Sequence, residues 1–562
     1  MKRALLLFLA FLMIAGSFVG CKDKKAEETS EAGTDTEGGP FALTKAILSE
    51  YAIVVAEGCD DEIKFTAEQM KKKLKDITGV EPKVKTDFVK EGSDLYSEGE
   101  YEILLGMVNR AETKDFYDDV RENDGGYALI GKKVLLIGRN ADAIKKAYSM
   151  FLSEVLSQVD AKEQLLADGE EKIVVGKYDY DNMTLNGVGI QNYKIVYPAL
   201  FSLMERTLAS SMVAYIKKLT GYTLVAESDK SVASQYEIQI GRTNRITDAT
   251  EAQASQYVIS PTDNGVWLCG SSTGALYSAA NALYALLKGN NGTAVLNETV
   301  SGDVKTLSMS VMTYNVLYNF SENRNPAHVL QSIETINADV FGINEATEEW
   351  VSRLNAKFSD TYTCVKGKIR SNDKSADYCP IFFRTDLFEL VENGTKWMSD
   401  TPDKISKYKE SHTYRIFSYA ILRDKETGVE FMFISAHLEN NEEGYDSKSA
   451  RKKQSAVLKN FTDEYSYLPI VIAGDMNCTS LNDLSPLLSS SRFVNAPSIA
   501  KEKKESGTWV GKDFMSIGEG VLDYIFVSGD RVAVSKYEAV DNKIDGKYPS
   551  DHIPVRADVV IY

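Results

Sequence analysis

One segment of this 562-residue chain occurs twice. Tyr101-Glu102-Ile103-Leu104-Leu105-Gly106, followed by Asn109-Arg110, recurs 135 residues later as Tyr236-Glu237-Ile238-Gln239-Ile240-Gly241, followed by Asn244-Arg245. Upstream, a Lys-bearing helical stretch ending Ile77-Thr78-Gly79 has its counterpart ending Leu219-Thr220-Gly221. Downstream, Gly126-Tyr127-Ala128-Leu129-Ile130 and Val134-Leu135-Leu136-Ile137-Gly138 are answered by Gln256-Tyr257-Val258-Ile259 and Val266-Trp267-Leu268-Cys269-Gly270. A helical pattern follows each, over 141–155 and 274–287. Apolar alternation marks the strands, and a 3.6-residue period marks the helices. Self-similarity at this length signals one folding unit used twice. The unit reads as strand, amphipathic helix closed by Gly, strand, hairpin, helix, which builds one sheet with helices on a face. We expect two small α/β sandwich domains, at 45–180 and 181–304.

The Gly-x-x-Asn-Arg segment and the Tyr before a Val-rich strand resemble the accessory domain that precedes the barrel in glycoside hydrolases such as α-glucuronidases and family-twenty hexosaminidases. That resemblance implies modules that bind surface glycan, position a neighbouring enzyme or act as spacers. No barrel follows, so carbohydrate hydrolysis is not implied.

Residues 1–21 read as a leader rather than as part of the fold. Lys2 and Arg3 precede an uncharged, mostly apolar run from Ala4 to Val19, too short for the roughly 20 residues that cross a bilayer. The run closes on Ser17-Phe18-Val19-Gly20-Cys21, which resembles the lipobox of bacterial lipoproteins and implies lipidation at Cys21. Residues 22–44 are rich in Glu, Thr, Gly and Asp with little to bury, and read as a disordered tether. The body of the protein is therefore expected on the extracellular face of the cell membrane. The remaining cysteines, Cys59, Cys269, Cys364, Cys379 and Cys478, form neither a CxxC pair nor a zinc spacing. One bridge, for example Cys364 to Cys379, is compatible with that compartment. A formal charge of −17 argues against holding polyanions by bulk electrostatics.

From about residue 305 the texture changes to long Val/Ile/Phe strands alternating with helices. Six polar motifs stand at the ends of apolar runs. They are Met312-Thr313-Tyr314-Asn315-Val316, Val340-Phe341-Gly342-Ile343-Asn344-Glu345, Ser435-Ala436-His437-Leu438, Ala473-Gly474-Asp475-Met476-Asn477, Leu522-Asp523-Tyr524-Ile525-Phe526-Val527 and Pro549-Ser550-Asp551-His552-Ile553-Pro554-Val555. Polar groups at strand ends converge on one mouth of a sandwich, where ligands bind. Two of the chain's four His, His437 and His552, fall inside these motifs.

In order and spacing the six motifs resemble the endonuclease/exonuclease/phosphatase superfamily across the whole of 305–562. The resemblance implies a four-layer α/β/β/α sandwich and a metal-dependent phosphoester hydrolase; the break of the repeat near residue 305 implies that 305–562 folds and acts without the repeats. A phosphoester in the transition state gains charge on oxygen, so its hydrolysis calls for a cation, a base for water and donors around the phosphoryl group. Glu345 is a hard oxygen donor suited to Mg²⁺, with Mn²⁺ the alternative. Asn315 either gives its amide oxygen to the same ion or steadies Glu345, and Asp551 is a candidate for a second ion. The family pairs the Ser-Asp-His imidazole with the Asp of Leu-Asp-Tyr, which makes His552 the base and Asp523 its orienting partner. Asp475 and Asn477 then orient water and hold a phosphate oxygen; in the alternative scheme Asp475 itself activates the water. His437 would donate to a phosphate oxygen or protonate the leaving group. By the same resemblance Tyr378, in Asp377-Tyr378, would stand near phosphate, and Arg415 would bind substrate. His328 and His412 match nothing. Lys366, Lys368, Arg370 and Lys374 form one basic cluster and Lys501, Lys503 and Lys504 another, each diluted by acids nearby. The expected substrate is a phosphoester of nucleic acid, phospholipid or sugar. The rival reading is a surface glycan-binding lipoprotein with a degenerate phosphoesterase domain.

Overall fold

The computed structural model describes residues 41–90, 97–200, 203–246, 255–319, 325–373, 376–489 and 492–562. The leader, Cys21, the tether through residue 40 and Lys374 lie outside the described residues. Among the described residues, no helix is long and apolar enough to cross a membrane.

The first repeat comprises β1 (Ala52–Val55), α1 (Asp61–Thr78), β2 (Val84–Thr86), β3 (Glu102–Leu105), β4 (Gly125–Ile130), β5 (Lys133–Ile137), α2 (Ala141–Met150) and β6 (Glu171–Val174). Its sheet runs β2-β1-β3-β5-β4-β6. The second comprises β7 (Lys194–Tyr197), α3 (Leu203–Thr220), β8 (Ala226–Ser228), β9 (Glu237–Ile240), β10 (Gln256–Thr262), β11 (Gly265–Gly270), α4 (Thr273–Gly289) and β12 (Val300–Asp303). Its order, β8-β7-β9-β11-β10-β12, is that of the first repeat strand for strand. Gly79 and Gly221 close α1 and α3 at φ +76° and +77°, a left-handed conformation in which a side chain is strained. Their N–H groups donate to the carbonyls of Lys75 and Lys217.

The Arg of the shared Asn-Arg motif is turned inward, while the Asn stays exposed. Arg110 Nε donates to Glu102 Oε2 at 2.7 Å with both side chains buried, and the half-buried Arg245 pairs through Nη1 with the buried Glu237. The N–H groups of Asn109 and Asn244 donate to Asp87 and Asp229. The residues that carry the accessory-domain resemblance thus stitch each sheet together.

The carboxyl-terminal half holds β13 (Leu307–Asn315), α5 (Pro326–Ile336), β14 (Val340–Asn344), α6 (Glu348–Phe358), β15 (Tyr362–Val365), β16 (Ile381–Arg384), β17 (Phe388–Trp397), β18 (Ile416–Asp424), β19 (Glu430–His437), α7 (Ser447–Glu464), β20 (Ile470–Asp475), β21 (Phe493–Asn495), β22 (Glu502–Lys504), β23 (Asp523–Ser528), β24 (Val532–Ala539) and β25 (Val555–Ile561). They form a seven-stranded sheet, β15-β16-β14-β13-β25-β24-β22, and a six-stranded one, β17-β18-β19-β20-β23-β21. The sheets pack face to face through Val311, Val340, Phe433, Val471 and Ile525. On the outer face of the first sheet, α5 and α6 bury Ile333, Trp350 and Leu354 against Met312 and Phe341. On the outer face of the second, α7 buries Leu458 and Phe461.

That last layer does not end at α7. Leu208, Met212, Tyr215, Tyr277 and Tyr284 of the second repeat share one core with Tyr465, Tyr467 and the outer face of the six-stranded sheet. Ser211 Oγ donates to the Ser466 carbonyl at 3.0 Å, Tyr277 Oη to Asp530 at 2.9 Å, and Lys218 pairs with Glu392 at 2.9 Å. The buried guanidinium of Arg531 lies 3.8 Å from the centre of the Tyr277 ring. The second repeat thus supplies part of the core on the outer face of the carboxyl-terminal half. All five described cysteines are free; Cys379 is buried beside Asn344, and Cys364 packs against the α6 layer.

Candidate active site

Strand register builds the site. In the six-stranded sheet His437 pairs with Asp475 and Asp475 with Asp523, so three adjacent strands end on chemically active side chains. In the other sheet Asn315 pairs with Asn344, and Glu345 follows. Gly474 makes the first alignment feasible, since a Cβ there would stand 1.8 Å from the Ala436 carbonyl oxygen. Immediately beyond three of these strand ends the backbone turns left-handed at Leu317, Glu345 and Asn477, at φ +59°, +60° and +51°. Non-glycine residues seldom hold that conformation, and where they do the strain is concentrated at functional sites.

Asn344, which the sequence reading quoted without a role, joins the two sheets. Its amide nitrogen donates to the Ala436 carbonyl and its oxygen accepts the Asp475 N–H at 2.9 Å. The visible signal was a polar residue closing an otherwise apolar strand. Asn315 bridges the two carboxylates of the site. Its nitrogen donates to Glu345 Oε1 at 3.2 Å and Asp475 Oδ2 at 3.0 Å, while its oxygen accepts the Leu317 N–H. Ser550 Oγ donates to the Asn315 carbonyl at 2.7 Å and so ties the Ser-Asp-His loop to the first motif. Asn477 donates its N–H to Asp475 Oδ1 and its amide to the Leu438 carbonyl.

His552 and Asp523 form a buried pair, Nδ1 to Oδ2 at 2.7 Å. Thr508, also buried, accepts the N–H groups of Leu522 and Asp523. The other imidazole nitrogen of His552 lies 3.8 Å from Asp475 Oδ2. Burial opposes the imidazolium, but Asp523, Asp475 and Asp551 outweigh it and raise the His552 pKa to about 10. Asp475, Asp523 and His552 lie close enough to suggest a metal cage. The His552 nitrogen nearest Asp523 is engaged in a hydrogen bond, while Nε2 and one Asp523 oxygen are left toward Asp475.

His437 is placed differently from its expected role. Arg415 Nη1 lies 2.8 Å from His437 Nε2, and a guanidinium only donates, so Nε2 is an acceptor. The remaining N–H, on Nδ1, faces Asp377 Oδ2 at 3.9 Å. In this arrangement His437 orients Arg415, and its Nε2 also stands 3.7 Å from Asp475 Oδ2. Burial disfavours the Asp377 carboxylate, yet His437, Arg370 and Arg415 hold it well below the usual carboxylate range. Arg415 is buried, with Nη2 donating to Asn440 at 2.8 Å and standing 3.6 Å from Glu439. Tyr378 is bridged through its backbone to Ala346, next to Glu345, but its hydroxyl donates to Glu348 at 2.9 Å. Asp551 is half-buried and near its neighbour Ser550 Oγ at 3.3 Å. Outside the site, His328 faces Asp545 and His412 packs on Tyr445. Of the basic clusters, Lys366, Arg370, Lys503 and Lys504 are paired with acids.

A divalent cation fits these donors. Glu345 and Asp475 converge on one amide nitrogen, and two carboxylates so close repel one another unless a cation lies between them or one is protonated. The buried Asp523 adds an oxygen with no hydrogen-bond partner. Hard oxygen donors of this kind suit Mg²⁺ or Mn²⁺ and not the His/Cys sets of zinc.

Residues 312–552 match the model of the Endonuclease/Exonuclease/phosphatase family. This stretch carries an endonuclease/exonuclease/phosphatase-family domain. That family is one of phosphoester hydrolases. The chain is also similar to the CCR4-Not complex 3'-5'-exoribonuclease subunit Ccr4 of Debaryomyces hansenii, with 23% identity over 238 residues, 33% of this chain. It spans only 28% of that relative's length. Among solved structures, an endonuclease/exonuclease/phosphatase family protein from Bacteroides thetaiotaomicron is 24% identical, with a TM-score of 0.42 over 46% of this chain and 99% of the other. A mannosyl-6-phosphatase from the same organism is 24% identical, with a TM-score of 0.41 over 45% and 99%. In the endonuclease/exonuclease/phosphatase domain of this chain, all six motifs lie within or across the matched span, with Asn315 and His552 near its two ends.

Proposed function

We propose that this chain is a Mg²⁺-dependent phosphoesterase, tethered outside the cell through a lipid on Cys21, that hydrolyses phosphodiester bonds of a nucleotide, lipid or sugar phosphate. The observation that carries the reading is the Asp523–His552 pair opening onto Asp475, with Glu345 and Asn315 arriving from the opposite sheet. Glu345 and Asp475 would hold the ion, which when bound supplies charge neutralisation at the phosphoryl oxygens. Asp523 orients the His552 ring so that Nε2 faces Asp475 and the mouth, where it exchanges a proton with water. Arg415, oriented by His437 and Asn440, supplies a fixed positive charge for the anionic ester. The rival, a binding lipoprotein with a degenerate enzyme domain, is disfavoured by this complete proton-handling set. The test is hydrolysis of bis-p-nitrophenyl phosphate with Mg²⁺ and with EDTA. Turnover abolished by EDTA and restored by Mg²⁺ is expected; turnover indifferent to EDTA overturns the metal requirement, and none on any phosphoester overturns the enzyme. For the tether, Cys21→Ser should move the protein out of the membrane fraction.

A further inference from the structure

Asp523 and His552 are 29 residues apart in sequence yet meet at 2.7 Å, and the backbones that carry them are held by one residue in common. β21 pairs with β23 only at 526–528, so among the described residues no strand covers that edge of β23 at Asp523. The side chain of Thr508 closes the end of the strand instead. Its hydroxyl oxygen accepts the N–H groups of Leu522 at 2.9 Å and of Asp523 at 3.1 Å. The main chain of the same residue reaches the other partner. The Thr508 carbonyl accepts the N–H of Ile553, next to His552, at 2.9 Å, and the Thr508 N–H donates to the Gly520 carbonyl at 2.9 Å. The residues that follow repeat the attachment: Trp509 is bridged to His552 through the backbone, and the Val510 N–H donates to the Asp551 carbonyl at 2.6 Å. The Leu522 carbonyl in turn accepts the Met476 N–H at 2.8 Å, which ties this corner to the Asp475 motif. Thr508 is fully buried, so no bulk water replaces a bond that it fails to make.

We infer that Thr508 is a positioning residue for the reaction proposed above: its hydroxyl and its carbonyl together clamp the Asp523 and His552 backbones so that the imidazole meets the carboxylate. The inference rests on the phosphoesterase reading and extends it from the groups that handle the proton to one that sets their separation. A hydroxyl oxygen has two lone pairs, and both are taken here by N–H groups, a role that a methyl group of similar size does not fill. Thr508→Val therefore nearly keeps the volume and strands two donors, which the start of β23 relieves by moving. Rates are steep in such displacements: a misplacement of about 1 Å costs on the order of 100-fold. Arg415 is carried by a different loop, just before β18, so binding of the anionic ester is left alone.

The experiment measures hydrolysis of bis-p-nitrophenyl phosphate in Mg²⁺ by the full chain, by Thr508→Val and by Thr508→Ser, each with and without His552→Ala. Thr508→Val should lower kcat roughly 10- to 100-fold with KM within a few-fold, and Thr508→Ser, which keeps the hydroxyl, should retain most of the rate. In the His552→Ala background Thr508→Val should cost almost nothing more, because no imidazole is left to misplace. A residue that only stabilises the fold costs the same in both backgrounds. Equal losses in the two backgrounds, no loss in either, or a Thr508→Ser as poor as Thr508→Val overturns the clamp. A second readout needs no turnover. In EDTA near neutral pH, the His552 Nδ1 proton, bonded to a buried carboxylate, should give a far-downfield, slowly exchanging NMR signal that His552→Ala lacks. That signal should be lost or move upfield in Thr508→Val and persist in Thr508→Ser; an unchanged signal in Thr508→Val overturns the clamp whatever the rates. A wild type that hydrolyses no phosphoester while the signal responds in this way removes the enzyme reading and leaves the clamp standing. If Thr508→Val does not fold, Thr508→Cys, whose thiol is a weak acceptor, takes its place with the same outcomes.

Discussion

His552 meets three carboxylates, Asp523, Asp475 and Asp551, and its protonation follows from them. In metal-free protein its imidazole should titrate near pH 10, and Asp523→Asn should lower that value, since Asp523 is the strongest of the groups that raise it. Histidine NMR across pH reads both. The sign for stability is fixed by the same shift. A folded-state value above the ordinary 6.5 means the pair's contribution is complete below about pH 6.5 and is lost as pH rises through about 10. Metal-free wild type should therefore lose more thermal stability over that window than His552→Gln does. The His552–Asp523 pairing was legible because both residues sit in distinctive strand-end motifs. The role of His437 was not. It depends on Arg415, 22 residues away, whose guanidinium settles which imidazole nitrogen carries the proton.

The repeated strands β3 and β9 show what an element-level motif is for. Glu102 opens β3 with no exposed surface and accepts from Arg110, Lys133, Lys85 and the Gly99 N–H. Burial opposes its charge, but these donors together hold its pKa at about 2. Glu102→Gln leaves several positive groups facing a neutral amide, and breaking a buried pair from one side costs about 3–5 kcal/mol. Chemical denaturation should locate that loss in the first repeat. Because the folded value is depressed, the contribution is present above about pH 4.5 and lost as pH falls through about 2. The repeat's topology was readable from the sequence because alternation, helix period and terminal glycines all agreed. The purpose of Asn-Arg was not, since a conspicuous polar pair reads alike on a surface and in a buried network.

At the scale of the molecule, the second repeat is a structural layer of the catalytic half. Its α3 and α4 cover Tyr465 and Tyr467, and Tyr277 covers the buried Arg531. Helical periodicity marks such faces as buried but does not say which neighbour buries them, so a boundary at 305 looked clean. A fragment of 305–562 exposes this aromatic surface and an arginine that its own residues cover incompletely. It should melt well below the full chain or associate, whereas a fragment of 181–562 should fold; circular dichroism melts and light scattering compare them. A fragment of 305–562 as stable as the full chain would show that the shared core is an incidental contact.

The central claim is that Asp523 and His552 act as one proton-handling unit while Glu345 acts through metal affinity. A double-mutant cycle on hydrolysis of bis-p-nitrophenyl phosphate tests it most directly. His552→Ala should reduce kcat by about 10²–10⁴-fold, the usual yield of general acid–base catalysis, and adding Asp523→Asn should cost little more. Glu345→Ala, measured alongside, should recover part of its loss at high Mg²⁺. Fully additive losses at Asp523 and His552, or a crippled Asp475→Asn beside a nearly active His552→Ala, would contradict the account and move the base to Asp475.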